Sequence, residues 1–441
     1  MTAILDARAV ERNILDEILQ RQSPLVPVDA PPGAGKTYLI ENIVGLAVAH
    51  FGLRVAVAAP RRNQAADFTH RMRAAFPAVT PQLLVGSKDD ARSQLTAIGV
   101  RVVRDPNDLY HGAGLVVSTV DKLGASFEKL ADEGFDLVVF DEAYQTHVAK
   151  ALPVLALARR IVLVGDPGQL EPFTEFDTVR FDAADDHVHH PLPKFLLAKN
   201  PGIVPLRLNV TRRLPADTVR FVQRSFYPQM PFAATASPQE RRITFDAAGM
   251  GDAIDALLDK LAAGNSLVML MLPAVDRDLT VDEELSATAV TIAERFVQRQ
   301  GRWDGAILDS SHFMYVDAHR TSGSDAHLRF LASPQVHATK VGTPEVVQGL
   351  EAPIVIARHP LSGLKEISSF DLMPGRLCVM VTRHKLGCVL LGRADFPETM
   401  RRYEHDCGAR LAGLADDVWR GFIANRELYD LLHEENRIVY A

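Results

Sequence analysis

Short apolar runs separated by longer amphipathic stretches recur through the first half of the chain: Leu25 to Val28, Arg54 to Ala59, Gly114 to Ser118, Leu137 to Phe140 and Ile161 to Val164. Near-continuous apolar strands alternating with helix-length segments predict a parallel sheet covered by helices on both faces. Pro27 falls inside the first run, where a central strand loses a ladder hydrogen bond, so a bend or a shortened strand is expected there. The rhythm breaks from Glu171 to Gly202, a stretch of Pro, Asp and His, and resumes with Leu206 to Val210. A domain boundary near Thr211 follows, giving domains 1–210 and 211–441. The second half repeats the scheme less regularly. Strands are expected at Ser266 to Leu272, Ala306 to Leu308, His337 to Val341, Ile354 to Ala357 and Cys388 to Leu391, with a helix from Val281 to Arg299. From about Asp395 onward the pattern is helical and charged, a cap on the second domain. The predicted fold class is α/β: two domains in tandem, each a mainly parallel sheet flanked by helices.

Composition narrows the partners. A length of 441 residues with 47% hydrophobic content supports two or three buried cores. The net charge of −7 and pI of about 6.1 exclude a broad basic surface, so any nucleic-acid contact is confined to a groove. Cys378, Cys388 and Cys407 lack metal-type spacing and fit a reducing compartment. The opening residues mix acids and arginines into an apolar helical pattern, the mark of a surface helix and not of a signal peptide. No apolar run reaches the roughly 18 to 20 residues that span a bilayer. A soluble cytoplasmic protein with no membrane partner is expected.

The chemistry begins after the first strand, at Asp29-Ala30-Pro31-Pro32-Gly33-Ala34-Gly35-Lys36-Thr37, followed by an apolar helix. This is a P-loop in its proper context. Small residues let backbone N–H groups turn around a phosphate, the helix N-terminus faces the anion, Lys36 supplies charge and Thr37 a hydroxyl for Mg²⁺. Pro32, Gly33, Ala34, Gly35, Lys36 and Thr37 form the predicted cradle; Ala30 stands at the usual first glycine. The strand Leu137 to Phe140 ends in Asp141-Glu142-Ala143. That position suits Asp141 to hold Mg²⁺ through water and Glu142 to polarise an attacking water.

The following strand runs into Gly165-Asp166-Pro167-Gly168-Gln169-Leu170-Glu171-Pro172, which resembles motif III of superfamily 1 helicases. Further matches follow in the family's order. Ala59-Pro60-Arg61-Arg62-Asn63-Gln64-Ala65-Ala66 resembles motif Ia, and Ser118-Thr119 the next strand-binding motif. Arg212-Arg213-Leu214-Pro215-Ala216-Asp217 is similar to motif IV of Upf-like and viral helicases of group B. Residues Thr343 to Glu351 resemble motif V, with Glu345 where aspartate is usual, and Arg376 to Arg383 resemble motif VI, with Cys378 in place of asparagine.

This resemblance implies two RecA-like domains and an ATP-dependent translocase or helicase on single-stranded DNA or RNA, moving 5′ to 3′, with ATP and Mg²⁺ as cofactors. It implies that Gln169 senses the γ-phosphate, that Arg213 and Arg383 of the second domain act as arginine fingers with Arg212 as the alternative, and that Gly349 and Glu351 line the γ-phosphate side. Pro60, Arg61 and Thr119 are implied to touch the strand. No glutamine occurs within residues 1–19 to read an adenine edge, and residues 66–114 are too few for the β-barrel that relatives often insert. The acidic pI and the charged C-terminal helices leave another reading open: a nucleotide-gated switch or remodelling ATPase subunit acting through a protein partner. Asp182, Asp185, Asp186, His187, His189 and His190 form a dense acid and histidine run whose spacing could bind a divalent metal, but which reads first as a solvated loop because nothing in the pattern fixes a ligand geometry.

Overall fold

The computed structural model describes residues 7–86, 96, 98–172, 188–276, 278–407 and 416–441. The chain forms two compact units, Met1–Pro167 with Glu171–Val210, and Gly168–Leu170 with Thr211–Ala441.

The first unit is built on β1 (Leu25–Asp29), β2 (Arg54–Ala59), β3 (Pro81–Leu84), β4 (Arg101–Val103), β5 (Gly114–Thr119), β6 (Leu137–Phe140), β7 (Ile161–Gly165) and β8 (Leu206–Arg207), in the spatial order β4-β3-β5-β2-β6-β7-β1-β8. Every neighbouring pair is parallel. Alternate residues enter opposite cores: Val55, Val57 and Ala59 join one apolar cluster, Ala56 and Ala58 the other. This is why β2 reads as an unbroken apolar run. The opening helix Ala7–Leu15 continues into a π-type turn, and Ile14, Ile18 and Leu19 bury its apolar face.

Pro27 neither bends nor shortens β1, which pairs with β7 from Leu25 to Asp29 without a break. Asp29 accepts from the Leu208 N–H and Ala30 donates to Gly165, so residues of odd number face β8 and those of even number face β7. The donor that Pro27 lacks therefore points to the β8 side, where pairing begins only at Val28 with Leu206. β3 and β4 were not anticipated; Pro81 opens β3, a position where proline is tolerated.

The second unit contains β9 (Ile243–Phe245), β10 (Leu267–Leu272), β11 (Gly301–Trp303), β12 (Ala306–Ile307), β13 (Phe313–Asp317), β14 (Lys340–Gly342), β15 (Ala352–Arg358), β16 (His384–Arg393) and β17 (Ile438–Tyr440). Its main sheet runs β14-β13-β15-β16-β10-β17, all parallel. Met269 and Met271 face one core, Val268 and Leu270 the other. Each unit is a RecA-like domain: a parallel sheet between helical layers.

The sequence pattern misplaced several strands of this unit. β13 is fully buried and was missed, because its polar Tyr315 and Asp317 disguise a core strand. They are satisfied internally, Tyr315 donating to Asp317 at 3.2 Å and Asp317 accepting from the His319 N–H. The strand expected at His337 to Val341 starts only at Lys340, after a turn closed by Thr339 donating to Val336. Ala306–Ile307 belongs to a small antiparallel ribbon with β9 and β11, outside the main sheet. The C-terminal cap ends in β17, which adds to the sheet beside β10. No helix among the described residues is long and apolar enough to cross a membrane.

Candidate nucleotide site and strand cleft

At the carboxyl end of β1 the chain turns through the P-loop into the helix Lys36–Ala49. Gly33 and Gly35 adopt φ of +71° and +94°, left-handed values that a Cβ makes costly. Ala30 is not among the residues of positive φ, so alanine serves where the first glycine usually stands.

Two neighbouring strands bring acids to this loop. β6 ends at Asp141 and Glu142, and β7 at Asp166. Lys36 Nζ lies 3.6 Å from Glu142 Oε1 and 3.8 Å from Asp166 Oδ2. Asp141 is buried and its N–H donates to Ala58, which fixes it between β6 and β2. Burial, and then the adjoining Glu142 carboxylate, push the Asp141 carboxyl up to about 7, against the pull of Lys36. Glu142 sits at φ +49°, ψ +47°, a left-handed conformation that costs a non-glycine residue on the order of 1–3 kcal/mol and marks functional turns. One lysine thus stands among three carboxylates in a poorly solvated place. Such a donor set fits a divalent cation shared with phosphate oxygens, since Mg²⁺ is ordinarily held by one or two carboxylates plus substrate phosphates.

Sequence reasoning missed two parts of this site. Asp166 beside Lys36 was legible from its place in the motif. Tyr144 was not: its hydroxyl donates to Asp29 Oδ1 at 2.8 Å, and both side chains are buried. Burial raises the Asp29 carboxyl above its usual range, opposed by the Tyr144 hydrogen bond and by Arg207.

Pro60, Arg61 and Thr119 come together. They line one cleft of about 700 Å³ at the carboxyl ends of β2, β3 and β5, with Asn63, Leu83 and Lys122. Thr119 also accepts from the Lys122 N–H at 3.2 Å and so caps the helix Val120–Ala125.

In the second unit, Arg213 Nε lies 3.0 Å from Glu351 Oε2, and its Nη1 donates to the Thr382 carbonyl at 3.2 Å. Glu351 also meets Lys385 at 2.5 Å. Burial opposes its ionisation, but Lys385 and Arg213 outweigh it and hold this carboxyl below the usual range. Arg383 is buried, donating to the Val379 carbonyl and to Thr382 Oγ1. Arg212 is exposed, and its carbonyl accepts from Arg241 at 2.7 Å. Gly349 takes φ of +85° at the turn ahead of Glu351. Gln169 is buried and accepts from Gln348 at 3.3 Å; a Cβ on Gly375 would come within 2.6 Å of its carbonyl oxygen. Glu345, the departure in motif V, meets Arg376 of motif VI at 2.6 Å, and the Arg376 guanidinium lies 3.6 Å from the centre of the Phe370 ring. Cys378 is buried, its Sγ 3.3 Å from the Tyr227 hydroxyl. In the acid and histidine run, Asp182, Asp185, Asp186 and His187 lie outside the described residues, whereas His189 and His190 stack edge to face at 4.6 Å.

A P-loop, an acidic pair and the later motifs follow in order along two tandem RecA-like domains, an arrangement that resembles superfamily 1 helicases. Residues 9–190, which include the P-loop and the Asp141-Glu142 pair, match the model of the AAA domain family. Among solved structures the chain is similar to the Arterivirus nonstructural protein 10 helicase in complex with DNA, at 14% identity and a TM-score of 0.44, over 88% of this chain and 64% of that one. The same arterivirus helicase in a separate crystal structure gives 14% identity and a TM-score of 0.44, over 89% and 64%. The PRRSV helicase gives 11% and 0.41, over 88% and 54%. The chain therefore spans less than two thirds of the length of these proteins. No curated protein matches it.

Proposed function

We propose that this chain hydrolyses ATP in its first unit and couples that hydrolysis to movement along, or unwinding of, single-stranded nucleic acid. One observation carries the reading: Lys36, Asp141, Glu142 and Asp166 converge from the ends of three parallel strands on a glycine-turned P-loop. The loop's N–H groups and Lys36 bind the phosphates and offset their charge as it shifts in the transition state. Thr37 and Asp141 would hold Mg²⁺, which would supply positive charge against the charge that develops on the phosphates. Glu142, set on its left-handed turn 3.6 Å from Lys36, would orient the attacking water and take its proton. Arg213, Arg383 and Gln169 are the candidates for sensing and stabilising the γ-phosphate, with Gly349 and Glu351 beside them. Arg213, paired with an ionised Glu351, would be released by exchanging one anionic partner for another. Pro60, Arg61 and Thr119 would touch the strand backbone in the cleft of the first unit, and the ordered motif IV favours 5′ to 3′ movement.

Steady-state ATPase of the wild type and of Glu142→Gln, with and without single-stranded DNA and RNA, tests the reading. Stimulation by one nucleic acid, lost in the variant, is expected. A rate that responds to neither would sink the nucleic-acid half of the proposal and favour a remodelling subunit with a protein partner.

A further inference from the structure

Tyr144 stands two residues after Glu142, where no motif assigns it a task, yet it joins three strand ends. β6 leads into the Glu142 turn, which closes as a single turn of 3-10 helix over Ala143–Gln145, with the Gln145 N–H donating to the Glu142 carbonyl at 2.8 Å. From that turn the Tyr144 hydroxyl reaches the end of β1 and donates to Asp29, the residue directly before the P-loop, at 2.8 Å. Its ring lies against the end of β7: a Cβ on Gly165 would meet Tyr144 Cδ2 at 2.8 Å and the Ala143 and Tyr144 nitrogens at 3.1 Å. Gly165 in turn accepts from the Ala30 N–H at 2.9 Å, so the same glycine receives the ring and ties β7 to the P-loop. Ala143 is fully buried and Tyr144 7% exposed, which leaves the turn little room to relax.

We infer that Tyr144 is a positioning residue, whose hydrogen bond to Asp29 latches the Glu142 turn to the base of the P-loop. The left-handed backbone of Glu142 is disfavoured in isolation and persists only where its surroundings over-determine it. The latch supplies that constraint from the phosphate-binding loop itself, so the base and the phosphate cradle keep one spacing. An error of about 1 Å between a base and its reacting group costs on the order of a hundredfold in rate. The inference rests on the ATPase reading above and deepens it.

The experiment compares full-length wild type, Tyr144→Phe, Asp29→Leu, Asp29→Asn and the double variant Tyr144→Phe/Asp29→Leu. It measures kcat and KM for ATP, and amide hydrogen exchange of residues 141–146 in the nucleotide-free protein. Tyr144→Phe keeps the ring and loses only the donor. Its kcat is expected to fall by about ten- to a hundredfold with KM changed less than threefold, and exchange of the turn to rise about tenfold. Asp29→Asn keeps an oxygen acceptor, so its kcat falls less than that of Asp29→Leu. The double variant is no slower than the slower single one, because both substitutions cut the same bond. If kcat or exchange in Tyr144→Phe stays within twofold of wild type, or if the two losses multiply, the latch is overturned. A wild type without ATPase ends the functional reading instead, and the exchange of the turn then decides the latch alone.

Discussion

The P-loop end of the first unit and the interior of the second unit treat buried charge in opposite ways. In the first, Asp141, Asp166 and Glu142 crowd one lysine, and burial drives Asp141 up toward neutrality. In the second, buried charges are matched. Arg393 meets Asp282 at 2.7 and 2.8 Å, both side chains almost wholly enclosed. Arg295 is forked across Asp252 and Asp255, and Arg437 across Asp217. Matched pairs specify a scaffold; a crowded cluster of carboxylates around one lysine carries an excess of negative charge that a bound cation would offset. The difference distinguishes where the chain holds itself together from where, on the proposed reading, it would hold nucleotide.

The largest effect should come from unmatching the second unit. Asp282→Asn removes the enclosed anion beside Arg393 and leaves it only the exposed carboxylate of Glu284, 2.8 Å away; it is expected to destabilise that unit by about 3 kcal/mol, read as a lowered denaturation midpoint with an unchanged slope. Saturating the first unit should come next. Mg²⁺ and a non-hydrolysable ATP analogue at a hundred times their Kd are expected to stabilise the first unit by about 2.7 kcal/mol, seen as slowed hydrogen exchange concentrated in residues 29–37 and 138–142. Equal protection across both sheets would erase the contrast. Relieving the excess by mutation is the smaller counterpart: Asp141→Asn is expected to stabilise the unliganded first unit by about 1–3 kcal/mol at pH 7 while abolishing turnover, the trade between stability and activity expected of a functional site.

Acidity should separate the units most subtly. His359 and His384 of the second unit are buried, and burial lowers both to about 3 from an ordinary 6.5. Unfolding lets them take up protons, so their neutral burial stabilises fully above pH 6.5 and this contribution falls as pH drops from 6.5 toward 3, by roughly 1–2 kcal/mol per ring at pH 5. Asp141 has the opposite sign: its raised value makes the folded state hold its proton longer, so its contribution is lost as pH rises from about 4 through 7. Unit-resolved thermal melting of the empty protein at pH 5 and pH 7.5 should move the two units in opposite directions. A common shift would undo the comparison.

What could be read from sequence follows the same division. The P-loop was legible because its backbone demands glycine where φ is positive, and Asp141-Glu142 because an apolar strand announces its end. Pro60 and Arg61 lie in one motif and Thr119 in the next, about 60 residues on, and one cleft gathers them, since β2 and β5 are adjacent and in register from Arg54 with Gly114 to Ala59 with Thr119. The Tyr144 latch was invisible, because its partner lies 115 residues earlier and neither residue type announces the other. β13 was hidden because buried Tyr315 and Asp317 break the apolar signature that marks a core strand. The enclosure of Arg383 was hidden as well, since an arginine carries no sequence mark of whether carbonyls or a ligand will receive it.

The most direct test of the carboxylate cluster as a catalytic site is the ATPase rate of Glu142→Gln against wild type, at saturating Mg²⁺ and ATP, with each protein's nucleotide affinity measured in parallel. A fall of about a hundredfold or more in kcat with affinity preserved is the predicted result. A variant that hydrolyses ATP at the wild-type rate would contradict the account.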